Sequence, residues 1–140
     1  MLNLLILEDN LAVLSALMTE LALLEQKFRN GPQPGQNIAV TVYSTYTDVE
    51  RIVNSQAANH YDVILLDRDC KLGGSFHALD IEKFGADKVI AISMVPEYNQ
   101  EAAARGVTRV VDKDYLDLPG FAWQVGQHIR EMVHEYPAEV

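Results

Sequence analysis

Five short apolar runs recur along the chain, each closing on a polar or charged residue: Leu4 to Leu7, Ile38 to Val42, Val63 to Leu66, Val89 to Ile92 and Val107 to Val111. Stretches with helical spacing separate or follow them. A parallel strand buried on both faces reads as a continuous branched run, and successive parallel strands need a long crossover, usually a helix. The alternation therefore predicts an α/β fold, a doubly wound five-stranded parallel sheet with helices on both faces and right-handed crossovers. The 140 residues suit a single domain over 1–136 with a tail at 137–140. A chain of this length buries about two thirds of its unfolded surface in one core.

The periodicity places the elements. Asn10 can cap a helix whose apolar positions Leu11, Leu14, Leu17, Met18, Leu21 and Leu24 fall three and four apart. Gly31-Pro32-Gln33-Pro34-Gly35 reads as an exposed loop. Ile38, Val40 and Val42 alternate with other residues and suit a less buried strand. Thr47 or Asp48 can cap a short helix with Val49, Ile52 and Val53. After the third run, Lys71 to Ser75 form a loop leading to a weakly patterned helix with Phe76, Leu79 and Phe84, ended by Gly85. Pro96 opens a helix that Gly106 stops, and Phe121, Val125, Ile129, Met132 and Val133 mark the apolar face of a last helix running to about Tyr136.

Composition excludes several classes. A formal charge of −9 opposes direct nucleic-acid binding, which draws its affinity from cations neutralising phosphates. One cysteine, Cys70, permits neither an intramolecular disulfide nor a cysteine-built metal site. No apolar run approaches a membrane span, and Met1-Leu2-Asn3-Leu4 lacks the pattern of a signal peptide, so the expected location is the cytoplasm. His60, His77, His128 and His134 lack metal-ligand spacing and read as surface residues. Cys70 reads as a small loop residue, Tyr43 and Tyr46 as packing, and Trp123 as core or interface.

The polar residues that close the runs carry the chemistry. Ligands of open α/β sheets bind outside the carboxyl ends of the strands, and that edge collects Glu8, Asp9, Asp67, Ser93 and Lys113. An Asp closing a strand is also a common turn former or helix cap, so the neighbours decide its reading. Carboxylates crowded together repel, by on the order of 4 kcal/mol for a pair about 4 Å apart at an effective dielectric of 20. Mg²⁺, which prefers oxygen ligands, and the ammonium of Lys113 would offset that repulsion. Asp67 could then attack a phosphoryl group, with Ser93 donating to one of its oxygens.

In order and type these residues resemble the receiver domains of two-component response regulators over nearly the whole chain: an acidic pair after the first strand, an Asp after the third, Ser after the fourth, Lys after the fifth. The resemblance implies the flavodoxin-like strand order 2-1-3-4-5. It implies that Asp67 is the phosphoacceptor and that Asp9, Asp67 and the backbone carbonyl of Asp69 hold Mg²⁺, with Glu8 acting through water. Ser93 and Lys113 would contact the phosphoryl group. The implied partners are a sensor histidine kinase or histidine phosphotransfer protein and a downstream protein target, with homodimerisation open. The domain would stand alone, with no output domain following, and would switch the face made by its last two helices and last strand. Asp69 would alter the lifetime of the acyl phosphate through the attacking water.

Four positions depart from the receiver pattern: Asp114 for a proline after the lysine, Val110 for an inward-swinging aromatic, Met94 for a small residue at the pocket mouth, and Lys71 for a proline. Met94, Val110 and Asp114 motivate a second reading, a receiver-like interaction module that is not phosphorylated. Leu65-Leu66-Asp67-Arg68-Asp69 also resembles the first motif of haloacid-dehalogenase-type phosphatases, but that reading leaves Glu8 and Asp9 without a role.

Overall fold

The computed structural model describes residues 1–31, 35–68 and 74–135, with side chains as far as Val133. Pro32 to Pro34, the segment Asp69 to Gly73 and the tail from Tyr136 lie outside the described residues, so the expectations for Asp69, Cys70, Lys71 and the tail fall there. The strands are β1 (Leu2–Leu7), β2 (Ile38–Tyr43), β3 (Val63–Leu66), β4 (Val89–Ser93) and β5 (Arg109–Asp112). The helices are α1 (Leu11–Arg29), α2 (Tyr46–Arg51), α3 (Ile81–Phe84), α4 (Pro96–Ala104) and α5 (Leu118–Glu135). All strand pairs are parallel, in the order β2-β1-β3-β4-β5, the flavodoxin-like arrangement.

Continuous apolar runs suit this sheet because its central strands feed two cores. Leu4 and Ile6, Val63 and Leu65, and Ile90 and Ile92 pack under α1 and α5. Leu5 and Leu7, Ile64 and Leu66, and Val89 and Ala91 pack under α2, α3 and α4 on the other face. Fully burying each of these Val, Leu and Ile side chains stabilises the fold by about 1.5–3 kcal/mol. A polar residue within β3 would face one core or the other, so β3 holds rigid whatever its carboxyl end presents.

Local chemistry explains where the expected elements shift. Asn10 caps α1 as expected, its Oδ1 accepting from the amides of Ala12 and Val13 at 3.0 and 3.1 Å. The buried face of α1 is rotated, however, to Val13, Leu17, Leu21, Leu24 and Phe28, leaving Leu11 74% and Met18 37% exposed. The apolar stripe of α1 is wider than the strip of sheet beneath it. For α2 the N-cap is Thr45 rather than Thr47 or Asp48, with the Thr45 hydroxyl donating to Asp48 Oδ2 at 2.6 Å.

The helix expected over Phe76 to Phe84 breaks into a 3-10 turn, Phe76–Ala78, and the short α3. Asn54 competes for that backbone: its Nδ2 donates to Ala78 O and its Oδ1 accepts from Asp80 N, both at 2.9 Å. Gly85, at φ 102°, ends α3 as expected. β5 starts at Arg109 rather than Val107, because the Val107 amide is already held by Ala102 O at the end of α4. The apolar face of α5 is the expected one, and Trp123, 54% exposed, lies off it.

His77 is a further correction, since its side chain is buried rather than on the surface. Its Nδ1 lies 3.3 Å from Glu101 Oε1 on α4, and Arg105, just past the end of α4, donates to the carbonyls of His77 and Leu79. Burial is the largest influence and lowers the imidazole pKa, outweighing Glu101, which raises it. The unfolded chain therefore binds the proton more readily than the native one. Stability from this site is full above the ordinary histidine value of about 6.5 and is lost as pH falls through the folded value. Urea titrations of wild type and His77→Gln from pH 8 to 5 should diverge in slope below neutrality, the wild type losing more; parallel curves would refute the assignment.

Candidate functional site

Parallel topology brings the ends of β1, β3, β4 and β5 to one edge, and with them Glu8, Asp67, Ser93 and Lys113, all buried. A lysine with so little access to water needs anionic partners. Lys113 Nζ lies 2.5 Å from Glu8 Oε2 and 3.0 Å from Asp67 Oδ2. Burial works against its charge, yet the two carboxylates outweigh burial and hold its pKa above the ordinary lysine value. Glu8 is fixed from its other oxygen, Oε1, which accepts from the amides of Asp9 and Asn10 at 3.2 and 3.0 Å.

Asp67 is the most perturbed member. Its pKa is raised from 3.8 to about 6, first by burial and next by the charge of Glu8, with Lys113 pulling the other way. Perturbation by burial together with specific charged neighbours is what functional carboxylates show more often than structural ones. The Asp67 amide is pinned to Leu7 O at 3.1 Å, which locks the end of β3 to the end of β1.

Glu8, Asp9 and Asp67 each bring one carboxylate oxygen to within 4.8 Å of the others. An all-oxygen, anionic donor set could hold a hard divalent cation, the class to which Mg²⁺ belongs, rather than a metal that selects thiolate or imidazole. Asp69, the remaining expected ligand, is outside the described residues.

Ser93 ends β4 beside this group. Its Oγ accepts from the Val95 amide at 3.1 Å, and its carbonyl accepts from the Lys113 amide at 3.1 Å, tying the ends of β4 and β5 together. Asn99, which the sequence reading passed over, strengthens that tie: its Nδ2 donates to Ser93 O at 3.2 Å and to Asp112 Oδ1 at 2.9 Å. Asn99 and Ala102, three apart, are the buried residues of α4, so a polar residue stands on the helix's inward stripe.

Arg68 is the other omission: its guanidinium lies 4.2 Å from the Tyr98 ring centroid, and its Nε donates to Glu101 at 3.1 Å, linking the residue after Asp67 to α4. At the departures from the receiver pattern, Met94 is 59% exposed at the rim, and Val110 packs against the core. Asp114 accepts from the Leu116 amide at 2.9 Å and closes a turn where a proline was expected. A cavity of about 440 Å³ lies elsewhere, bordered by Leu2, Val63, Lys88, Met132 and Val133, none of them in the carboxylate group. Among the described residues, no helix is long and apolar enough to cross a membrane.

No protein-family model matches the chain, and no curated protein matches its sequence.

Proposed function

We propose that this chain is a cytoplasmic response regulator receiver domain that takes a phosphoryl group onto Asp67 from the phosphohistidine of a sensor kinase or phosphotransfer protein. It would not be an enzyme toward other substrates; its catalysis extends only to its own phosphorylation and dephosphorylation. The observation that carries the reading is the meeting of three carboxylates with one buried lysine at the carboxyl edge of the sheet.

Each residue has a derivable part. With a pKa of about 6, Asp67 is mostly carboxylate at pH 7 and can act as a nucleophile. Its oxygen forms a bond to phosphorus, the phosphorus–nitrogen bond breaks, and the electron pair leaves with the donor imidazole. Mg²⁺ held by Asp9, Asp67 and the carbonyl of Asp69, with Glu8 acting through water, would neutralise charge on the transferred oxygens. Lys113 gives a second, compact positive charge that stays in place because Glu8 holds it as well as Asp67. Ser93 turns its hydroxyl proton toward a phosphoryl oxygen while continuing to accept from Val95. The product changes charge at the ends of β3, β4 and β5, and the face of α4, β5 and α5 is the surface a downstream protein would read.

Intact mass after incubation with phosphoramidate or acetyl phosphate and Mg²⁺ tests this. The expected result is a gain of one phosphoryl group by the wild type and none by Asp67→Asn. No gain from either small donor, and none from a phosphorylated histidine phosphotransfer protein, would overturn the proposal. The unphosphorylated interaction module, which Val110 and Asp114 favour, would then take its place.

A further inference from the structure

Helix α4 is fastened to the carboxyl edge of the sheet at two places that differ in kind. At the first, Asn99, itself buried, donates from Nδ2 to Ser93 O at 3.2 Å and to Asp112 Oδ1 at 2.9 Å. At the second, the Arg68 guanidinium lies 4.2 Å from the Tyr98 ring centroid and its Nε donates to Glu101 Oε2 at 3.1 Å. The side chains of Arg68 and Glu101 are 32% and 46% exposed, so water can take the place of either partner. The buried tie is a fixed point, and the exposed one opens readily.

The exposed tie belongs to a closed ring of contacts. Glu101 turns its other oxygen, Oε1, to the buried His77, 3.3 Å from Nδ1. Phe76, the neighbour of His77, donates its amide to Arg68 O at 2.8 Å. Arg68 therefore enters the ring twice, through its carbonyl and through its guanidinium. Any displacement of its backbone pulls on the Phe76–Ala78 turn and on α4 together. Arg105, just past the end of α4, donates to the carbonyls of His77 and Leu79 and keeps that turn against the helix.

Arg68 is also in contact with the chemistry, because its amide donates to the Asp67 carboxylate. Once one carboxylate oxygen is bonded to phosphorus, what remains is a neutral carbonyl and a bridging oxygen, both weaker acceptors. The phosphoryl oxygens beyond them are charged and strong. An amide at this place follows the stronger acceptor, and Arg68 moves with it.

We propose that Arg68 couples the state of Asp67 to α4: with a phosphoryl group on Asp67, Arg68 shifts toward it, its guanidinium leaves Tyr98 and Glu101, and α4 turns about Asn99. The inference rests on the phosphoacceptor reading of Asp67. It gives the site a route to the α4 surface in a chain that carries Val110 where the receiver pattern has an inward-swinging aromatic. Coupling is reciprocal, so the Arg68 tie restrains modification of Asp67 by the same factor as modification loosens the tie. Loss of the tie therefore tightens binding at Asp67, which a merely structural loss does not do.

The test is a titration of the full chain with Mg²⁺ and beryllofluoride, which stands in for the phosphoryl group on Asp67. Binding is read from amide shifts around Asp67, and the state of α4 from amide hydrogen exchange. In the wild type, the amides from Glu101 to Ala104 are expected to exchange faster at saturation than without ligand. Glu101→Ala and Tyr98→Leu should show the faster exchange without ligand and bind beryllofluoride about two- to fivefold more tightly, the range open to one exposed ion pair or cation–π contact. Should Glu101→Ala lose helix by circular dichroism, Tyr98→Leu decides alone. Saturation that leaves α4 exchange unchanged in the wild type, or variants that bind no more tightly than the wild type, overturns the coupling while the receiver reading stands. No saturable shift around Asp67 in any of the three proteins overturns the receiver reading, and the coupling falls with it.

Discussion

Replacing Lys113 by Met in metal-free buffer at pH 7 is expected to lower the unfolding free energy by about 3–5 kcal/mol, the usual penalty for removing one partner of a buried ionic group. The side chains of Lys113, Glu8 and Asp67 are 4%, 1% and 10% exposed, so water cannot replace the lost ammonium. Two buried carboxylates then face each other, and the Asp67 pKa moves further above about 6, since Lys113 is what holds it down. Methionine fills most of the space, which keeps the comparison one of charge rather than of cavity. Two rescues follow. Glu8→Gln in the same chain should recover much of the loss, and Mg²⁺ should stabilise the variant by mass action, because the acids that lost an internal cation can take an external one. Urea midpoints at unchanged m-value would report both. A loss below about 1 kcal/mol would mean that the group is solvated and that the buried triad is not the electrostatic unit described above.

Asp67→Asn should act in the opposite direction on stability. A folded pKa of about 6 against 3.8 means that the native state binds the Asp67 proton more tightly than the unfolded chain. Stability from this group is therefore present at low pH and is lost as pH rises through about 6, the reverse of the usual carboxylate. Asparagine resembles the protonated form and cannot ionise, so the variant should be more stable than wild type by about 1–3 kcal/mol above pH 7, with the advantage fading toward pH 4. Chelator must be present, because a bound cation would favour the ionised acid. His77 contributes the contrary slope, and the difference between wild type and Asp67→Asn removes it. A gain that does not vary with pH, or a less stable variant at pH 8, would contradict the site electrostatics. If the proposed function holds, the same substitution abolishes phosphoryl acceptance.

Much of this architecture was legible along the chain because parallel sheets write themselves plainly. Residues 63–66 and 89–92 must be apolar at every position when both faces are covered, and each such run ends where the sheet does, so the run itself marks Asp67 and Ser93 as residues of the carboxyl edge. Helix existence was equally clear for α1 and α5, whose apolar spacing continues for several turns. The register of the helices was not. Leu11 and Met18 fit the periodic stripe of α1 as well as Val13 does, and only the position of the sheet beneath decides which of them is buried. Where a side chain from a distant segment competes for backbone, as Asn54 does at Ala78 and Asp80, periodicity has no means of registering it.

The candidate site divides along the same line. Residue type and order determined that carboxylates, a serine and a lysine would close the strands, since a chain that alternates strand and helix with one handedness must bring those ends to one edge. Distance, burial and charge state belong to the tertiary structure. That Lys113 bonds Glu8 as well as Asp67, that Asn99 binds the ends of β4 and β5, and that His77 is buried against Glu101 all depend on residues from separate elements. Sequence pattern reports what each residue must avoid or seek, namely water or apolar cover, on its own element. Pairing energies fall off within a few ångströms, so they are decided only when packing sets which side chains meet.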